Sequence, residues 1–165
     1  MFAASKFCAV SQSILLVGQS GVTFNAGLNR GQLVACVFTA AANGVGIKFK
    51  LELGGAAGSI KAAVYSWTSN GAGSKLSGEV EVTVSAVQTS IEVTIPSVTI
   101  TSGTKYNLVF NTSANSMVAV NSAGGTMKLS GGGAANSYPY ASAFPNPMAL
   151  TGSSLSYLAG IAVYS

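Results

Sequence analysis

The chain has 165 residues, of which 48% are apolar and 7% are charged, and its formal net charge is +4. It contains no His and no Asp, and its only acidic residues are four Glu. General acid–base catalysis draws mainly on His, Asp and Glu, and zinc or calcium sites need clusters of these residues or Cys. The composition therefore predicts no catalytic residues, no metal site and no cofactor, and it argues against an enzyme.

The length fits one domain spanning residues 1–165. Ordinary globular domains are about 25% charged, so much of the polar surface here must come from Ser, Thr, Asn and Gly. Such a surface is typical of a protein packed against copies of itself or against other proteins; a monomer with a Ser/Thr-rich face is the alternative. The eight basic residues form no run, so nucleic-acid binding is not expected.

Residues 1–30 are irregular and predict either an edge strand or an arm that reaches a neighbouring subunit. Lys6 precedes an apolar stretch as in a signal peptide, but the polar residues 11–13 interrupt it and no A-x-A cleavage site follows. No stretch reaches the roughly eighteen apolar residues of a membrane span. We expect synthesis in a cytoplasm without a signal peptide, and no membrane insertion.

From residue 45 onward, apolar and polar residues alternate with period 2, which predicts strands with one buried face. The predicted buried positions are Ile47, Phe49, Leu51 and Leu53; Val80, Val82 and Val84; Ile91, Val93 and Ile95; Tyr106, Leu108 and Phe110; and Leu158, Ile161 and Val163. Turn signals such as Asn43-Gly44 and Asn70-Gly71 separate these runs. No stretch has a convincing helical period. The sequence predicts an antiparallel all-β sandwich, jelly-roll-like, of about nine or ten strands.

Four aromatic residues are candidate contact residues. Trp67 lies at the end of the predicted strand 59–67 and could stack on a sugar ring, or seal the edge of the sandwich. Tyr138, Tyr140 and Phe144 lie in the long Gly-, Pro- and Ser-rich loop 130–156, a length typical of functional or disordered loops. Their rings could anchor a protein interface, form a glycan platform, or fold over the open end of the sandwich.

Two further residue pairs, one of cysteines and one of glutamates, each have a structural and a functional interpretation. Cys8 and Cys36 could form a disulfide if the N-terminal strand pairs beside the strand holding Cys36, or could both be buried free thiols, which is the interpretation we adopt. Glu79 and Glu81 lie two apart on one strand, which indicates a solvated face rather than the flanking carboxylates of a glycosidase.

Four consecutive stretches resemble a β-sandwich module of bacterial surface proteins, secreted glycan-active proteins and phage virion or tail proteins. They are FTAAANGVGIKFKLEL (38–53), GSIKAAVYSWTSNGAGSKL (58–76), EVEVTVSAVQTSIEVTI (79–95) and PSVTITSGTKYNLVFNTS (96–113). The resemblance implies a jelly roll that binds glycans or decorates a surface. Members in secreted enzymes often carry Asp-rich calcium sites, which a chain without Asp does not match; this departure favours a virion component.

We therefore expect a structural virion protein made in a host cytoplasm, a capsid decoration or cementing protein. Its partners would be itself, for example as a trimer, and other virion proteins such as a major capsid protein. A tail or fibre component is a close variant. Two alternatives are a glycan-binding module for host attachment at an extracellular surface, and a self-polymerising surface filament subunit.

Overall fold

In a computed structural model, the described residues are 13–22, 28, 31–69, 73–121, 126–129, 138–148, 150, 154–155 and 158–165. Within these ranges there is no helix, and twelve strands follow one another. They are β1 (Leu15–Gly18), β2 (Val34–Thr39), β3 (Gly44–Glu52), β4 (Gly58–Ser66), β5 (Val80–Val84), β6 (Ser90–Ile100), β7 (Lys105–Thr112), β8 (Val120–Asn121), β9 (Met127–Leu129), β10 (Ser154–Leu155), β11 (Leu158–Ala159) and β12 (Ile161–Tyr164). Strands β8 to β11 have only two or three residues each.

The strands form two principal antiparallel sheets. The four-stranded sheet has the order β1-β12-β3-β6, the six-stranded sheet has the order β10-β9-β2-β7-β4-β5, and β11 pairs with β8. The pairs β1–β12 and β3–β6 lie in the first sheet, and the pairs β2–β7 and β4–β5 lie in the second. The predicted all-β class with antiparallel sheets is confirmed, and the arrangement is consistent with a sandwich.

One apolar core joins the two sheets. Phe49 and Ile161 of the four-stranded sheet are buried in the same cluster as Val64, Leu108 and Phe110 of the six-stranded sheet. Burial of each such side chain contributes about 1.5–3 kcal/mol. The predicted apolar positions of β5, β6, β7 and β12 belong to this cluster or pack against it. Alternation in the sequence therefore identified the core faces of these strands.

One predicted core residue, Ile47, lies on the surface. The β3–β6 ladder passes from Gly46↔Val98 to Lys48↔Thr94, so its register shifts at Ile47. Such an irregularity reverses the side-chain alternation along a strand. Gly46 and Phe49 therefore both point inward, whereas Ile47 is 41% exposed. The prediction for Ile47 was wrong because a strict period of 2 does not survive a register shift.

The chain's first 30 residues contribute one strand to the described fold. β1 lies at the edge of the four-stranded sheet, where it pairs with β12. Of residues 1–30, for which an edge strand or an arm is predicted, residues 15–18 form this edge strand. Residues 1–12, 23–27, 29 and 30 of the same range lie outside the described residues.

Candidate functional site

A second apolar cluster lies on the outer face of the six-stranded sheet. Side chains alternate between the faces of a strand, so Ala35 of β2, Tyr65 of β4 and Val109 of β7 point away from the core. The buried cluster consists of these residues with Leu33, Ala63, Phe144, Met148 and Leu150, and Tyr138 packs against it. Residues 138–148 and 150, here called the cover segment, thus shield this face from solvent.

Two carboxylates at the β5 edge hold the cover segment. Glu79 Oε1 accepts a hydrogen bond from the Phe144 amide at 2.8 Å and contacts Lys75 Nζ at 2.5 Å. The Tyr140 hydroxyl donates to Glu81 Oε1 at 2.8 Å. Burial raises the pKa of Tyr140, and the bond to Glu81 raises it further, so this phenol is a protonated donor at neutral pH. Sequence reasoning treated both carboxylates as part of a solvated face; the structure gives them this fastening role.

Further polar contacts tie the cover segment to β4 and to the residues that follow it. The Tyr65 hydroxyl donates to the Pro145 carbonyl at 2.7 Å. The Lys75 amide donates to Asn146 Oδ1 at 2.9 Å, and the Met148 amide donates to the Gly73 carbonyl at 3.1 Å. Each such bond stabilises the folded chain by about 0.5–1.5 kcal/mol. The cover segment is therefore held by packing and by several hydrogen bonds at once.

The rings of the cover segment serve the fold of the chain itself. Phe144 is buried in the second cluster, and Tyr138 is half-buried against it with its hydroxyl donating to the Ala143 carbonyl. Tyr140 is half-buried, with Lys61 Nζ 5.1 Å from its ring centre. The loop thus covers a sheet face, where the sequence had suggested an open end, an interface or a glycan platform. The buried Phe144 ring is not available for an external contact.

Trp67 has a different environment. It comes one residue after β4, belongs to neither apolar cluster and is 38% exposed. Lys105 Nζ lies 4.9 Å from the centre of its indole ring, the geometry of a cation–π contact. Thr39 lies opposite Lys105 in the β2–β7 ladder. The structure therefore places Trp67 at the end of the six-stranded sheet with its ring partly exposed.

The outer face of the four-stranded sheet, here called the open face, carries exposed apolar and charged side chains. Val45 is 50% exposed and lies close to Ile47 on β3, which is 41% exposed. Lys48 Nζ lies 3.9 Å from Glu92 Oε2, and Lys50 Nζ lies 3.2 Å from Glu52 Oε1. These two ion pairs leave that part of the face without net charge.

All four carboxylates of the chain have partners within the fold. Glu52 and Glu92 pair with lysines of the open face, and Glu52 Oε1 also accepts from the Gly21 amide at 3.3 Å. Glu79 and Glu81 hold the cover segment. Among the described residues, no three His, Cys, Asp or Glu side chains lie together as a metal site requires. Each of the four Glu side chains therefore has a contact within the fold.

Cys36 is a buried free thiol on β2. Burial raises the pKa of this thiol from 9.0 to about 12, so it stays protonated and unreactive at neutral pH. Cys8, the other half of the disulfide alternative, lies outside the described residues. The structure thus agrees with a free thiol at Cys36.

Comparison with protein-family models, curated proteins and solved structures finds no match to this chain. Within the ranges that the structure describes, no helix has the length and apolar character needed to span a membrane.

Proposed function

We propose that this chain is a structural virion protein, a capsid decoration or cementing protein that acts through protein–protein contacts. Its partners are copies of itself and other virion proteins such as a major capsid protein. The observation that carries the proposal is the difference between the two outer sheet faces. The chain covers the outer face of the six-stranded sheet with the cover segment, whereas the open face carries exposed Val45 and Ile47.

The strand pairing supports a jelly-roll interpretation of the sandwich. The eight longer strands pair as β1–β12, β2–β7, β3–β6 and β4–β5, and successive pairs fall in alternate sheets. A long antiparallel ribbon rolled into two layers gives this pairing, and jelly rolls built in this way occur in viral capsid and lectin domains. One architecture hosts many functions, and a virion role is among those that this pairing supports.

The chemistry of the open face suits contact with another protein. Its lysines are already paired with Glu52 and Glu92, so a partner needs to neutralise little charge there. Apolar side chains gain about 25 cal/mol for each Å² removed from water, and burial of unpaired charge would oppose association. A face with balanced charge and exposed Val and Ile side chains therefore favours a protein partner.

The engagement of every carboxylate supports a role without catalysis. Glu79 and Glu81 hold the cover segment, and the other two Glu residues hold lysines. A general acid or base must reach the proton that it transfers, and a carboxylate that fastens a loop or pairs with a lysine is committed to another contact. Their contacts instead hold parts of the chain together, as suits a protein that packs against its neighbours.

A charge placed on the open face should weaken association. We expect the purified chain to self-associate, and we expect Ile47→Lys to raise the dissociation constant at least about tenfold, since a buried unpaired charge costs more than 1.4 kcal/mol. Sedimentation velocity over a series of protein concentrations measures this constant. Ile47 is exposed in the single chain, so the variant should keep its free energy of unfolding.

Val87→Lys is the matched control, because it adds the same charge at a residue that is 89% exposed in the loop between β5 and β6. It should associate as the unmodified chain does. The proposal is contradicted if the unmodified chain stays monomeric at all concentrations, or if both variants associate equally well.

A further inference from the structure

We propose that Trp67, Lys105 and Thr39 form a binding site for a sugar residue that carries a carboxylate. The site lies at the end of the six-stranded sheet, on the opposite side of the sandwich from the open face. It is a ligand-binding role that the assembly function does not require.

The ladder sets these three side chains in one row. Thr39 of β2 pairs with Lys105 of β7, and Ser66 of β4 pairs with Tyr106 of β7. Trp67, the next residue after Ser66, therefore lies beside Lys105. All three residues of the row are exposed, and none belongs to the apolar clusters. The row is thus a surface feature outside the two apolar clusters.

The Lys105–Trp67 contact differs from the Lys61–Tyr140 contact in whether a carboxylate lies near the lysine. Lys61 lies over Tyr140, but it is paired in the β4–β5 ladder with Glu81, whose carboxylate is therefore close by. No ion pair among the described residues includes Lys105, and all four Glu side chains make their contacts elsewhere. Lys105 therefore presents an ammonium group beside the indole that an external anion can neutralise.

The combination of groups fits an acidic sugar. The exposed part of the indole that Lys105 does not cover offers an apolar surface to the C–H face of a pyranose ring. The Lys105 ammonium can donate charge-assisted hydrogen bonds to a carboxylate, and the Thr39 hydroxyl can donate to or accept from a sugar hydroxyl. A peptide carboxylate would use the ammonium alone, without a ring to stack on Trp67. The row therefore favours a carboxylated sugar over an acidic peptide.

Because the chain has a single Trp, its intrinsic fluorescence reports on this site directly. Hexagalacturonate, added to the full chain at low salt, should change the Trp67 emission in a saturable way. Its methyl ester, which keeps the rings but loses the charge, should bind at least about tenfold more weakly, as expected for the loss of a charge-assisted bond. Lys105→Gln should weaken binding of hexagalacturonate to a similar degree.

Lys128→Gln is the matched control, because it removes one positive charge from β9 of the same sheet and should leave binding unchanged. Trp67→Leu, followed by calorimetry, should abolish binding, and a urea unfolding curve should show that the variant is still folded. The proposal fails if hexagalacturonate gives no saturable change, if Lys105→Gln binds it normally, or if a hexaglutamate peptide binds as tightly. Self-association measured on Ile47→Lys is independent of all these outcomes, so a failure here does not bear on the assembly proposal.

Discussion

Phe144→Ala is expected to lower the free energy of unfolding by about 3–5 kcal/mol, the usual cost of removing a buried Phe side chain. The ring of Phe144, a residue of the cover segment, is buried in the second cluster with Ala63, Tyr65 and Val109 of the six-stranded sheet. Its removal leaves a cavity in this cluster and loosens the backbone around the Phe144 amide, which donates to Glu79. Equilibrium unfolding in urea measures the loss.

Tyr140→Phe provides the comparison within the same segment. It removes only the hydroxyl that donates to Glu81, so it should cost about 1 kcal/mol or less. If Phe144→Ala costs no more than Tyr140→Phe, the cover segment does not form a second core and the outer face of the six-stranded sheet is open as well.

Gly18→Ala is expected to destabilise the chain by about 3 kcal/mol through combined backbone strain and overpacking. Gly18 ends β1 with a φ of +108°, and a Cβ there would lie 2.3 Å from the Ile161 carbonyl oxygen. Because that oxygen belongs to the neighbouring strand β12, the clash cannot be relieved by turning a side chain. The variant should loosen β1 from the sheet, measurable as faster amide hydrogen exchange at residues 15–18.

Gly21→Ala separates strain from overpacking. Gly21 also has a positive φ, of +75°, but nothing lies within 4 Å of a Cβ built on it. It should cost about 1 kcal/mol, the strain alone, without affecting exchange in β1. Equal costs for the two variants would mean that the contact between β1 and β12 is looser than the structure has it.

Alternation predicted the fold well wherever each strand has one buried face. The inward positions of β5 and of residues 91–95 in β6 follow the period of 2, because a side chain on the core face must be apolar and its neighbours need not be. It failed at Ile47, where the register shift reverses the faces. A shift of this kind depends on the partner strand, here residues 95–97 of β6, so local sequence alone does not indicate it.

The candidate site was harder to predict, because it depends on contacts between distant residues. The cover segment meets β4 and β7 across many intervening residues, and its Pro-rich sequence indicates only a loop. A signal for a second buried face was nevertheless present. AAVY at 62–65 and LVF at 108–110 are continuous apolar runs, which are typical of strands covered on both sides. The cation–π contact of Trp67 with Lys105 left no comparable sequence signal.

Lysine acetylation followed by mass spectrometry, on the chain in its native assembly and on the dissociated chain, tests most directly which face meets its neighbours. Lys48 and Lys50 lie on the open face, whereas Lys105 and Lys128 lie on the six-stranded sheet. Contact through the open face predicts that Lys48 and Lys50 lose reactivity on assembly while Lys105 and Lys128 keep theirs. Protection confined to Lys105 and Lys128 would contradict it. So would a chain that is recovered alone and whose lysines react to the same degree before and after the dissociation step.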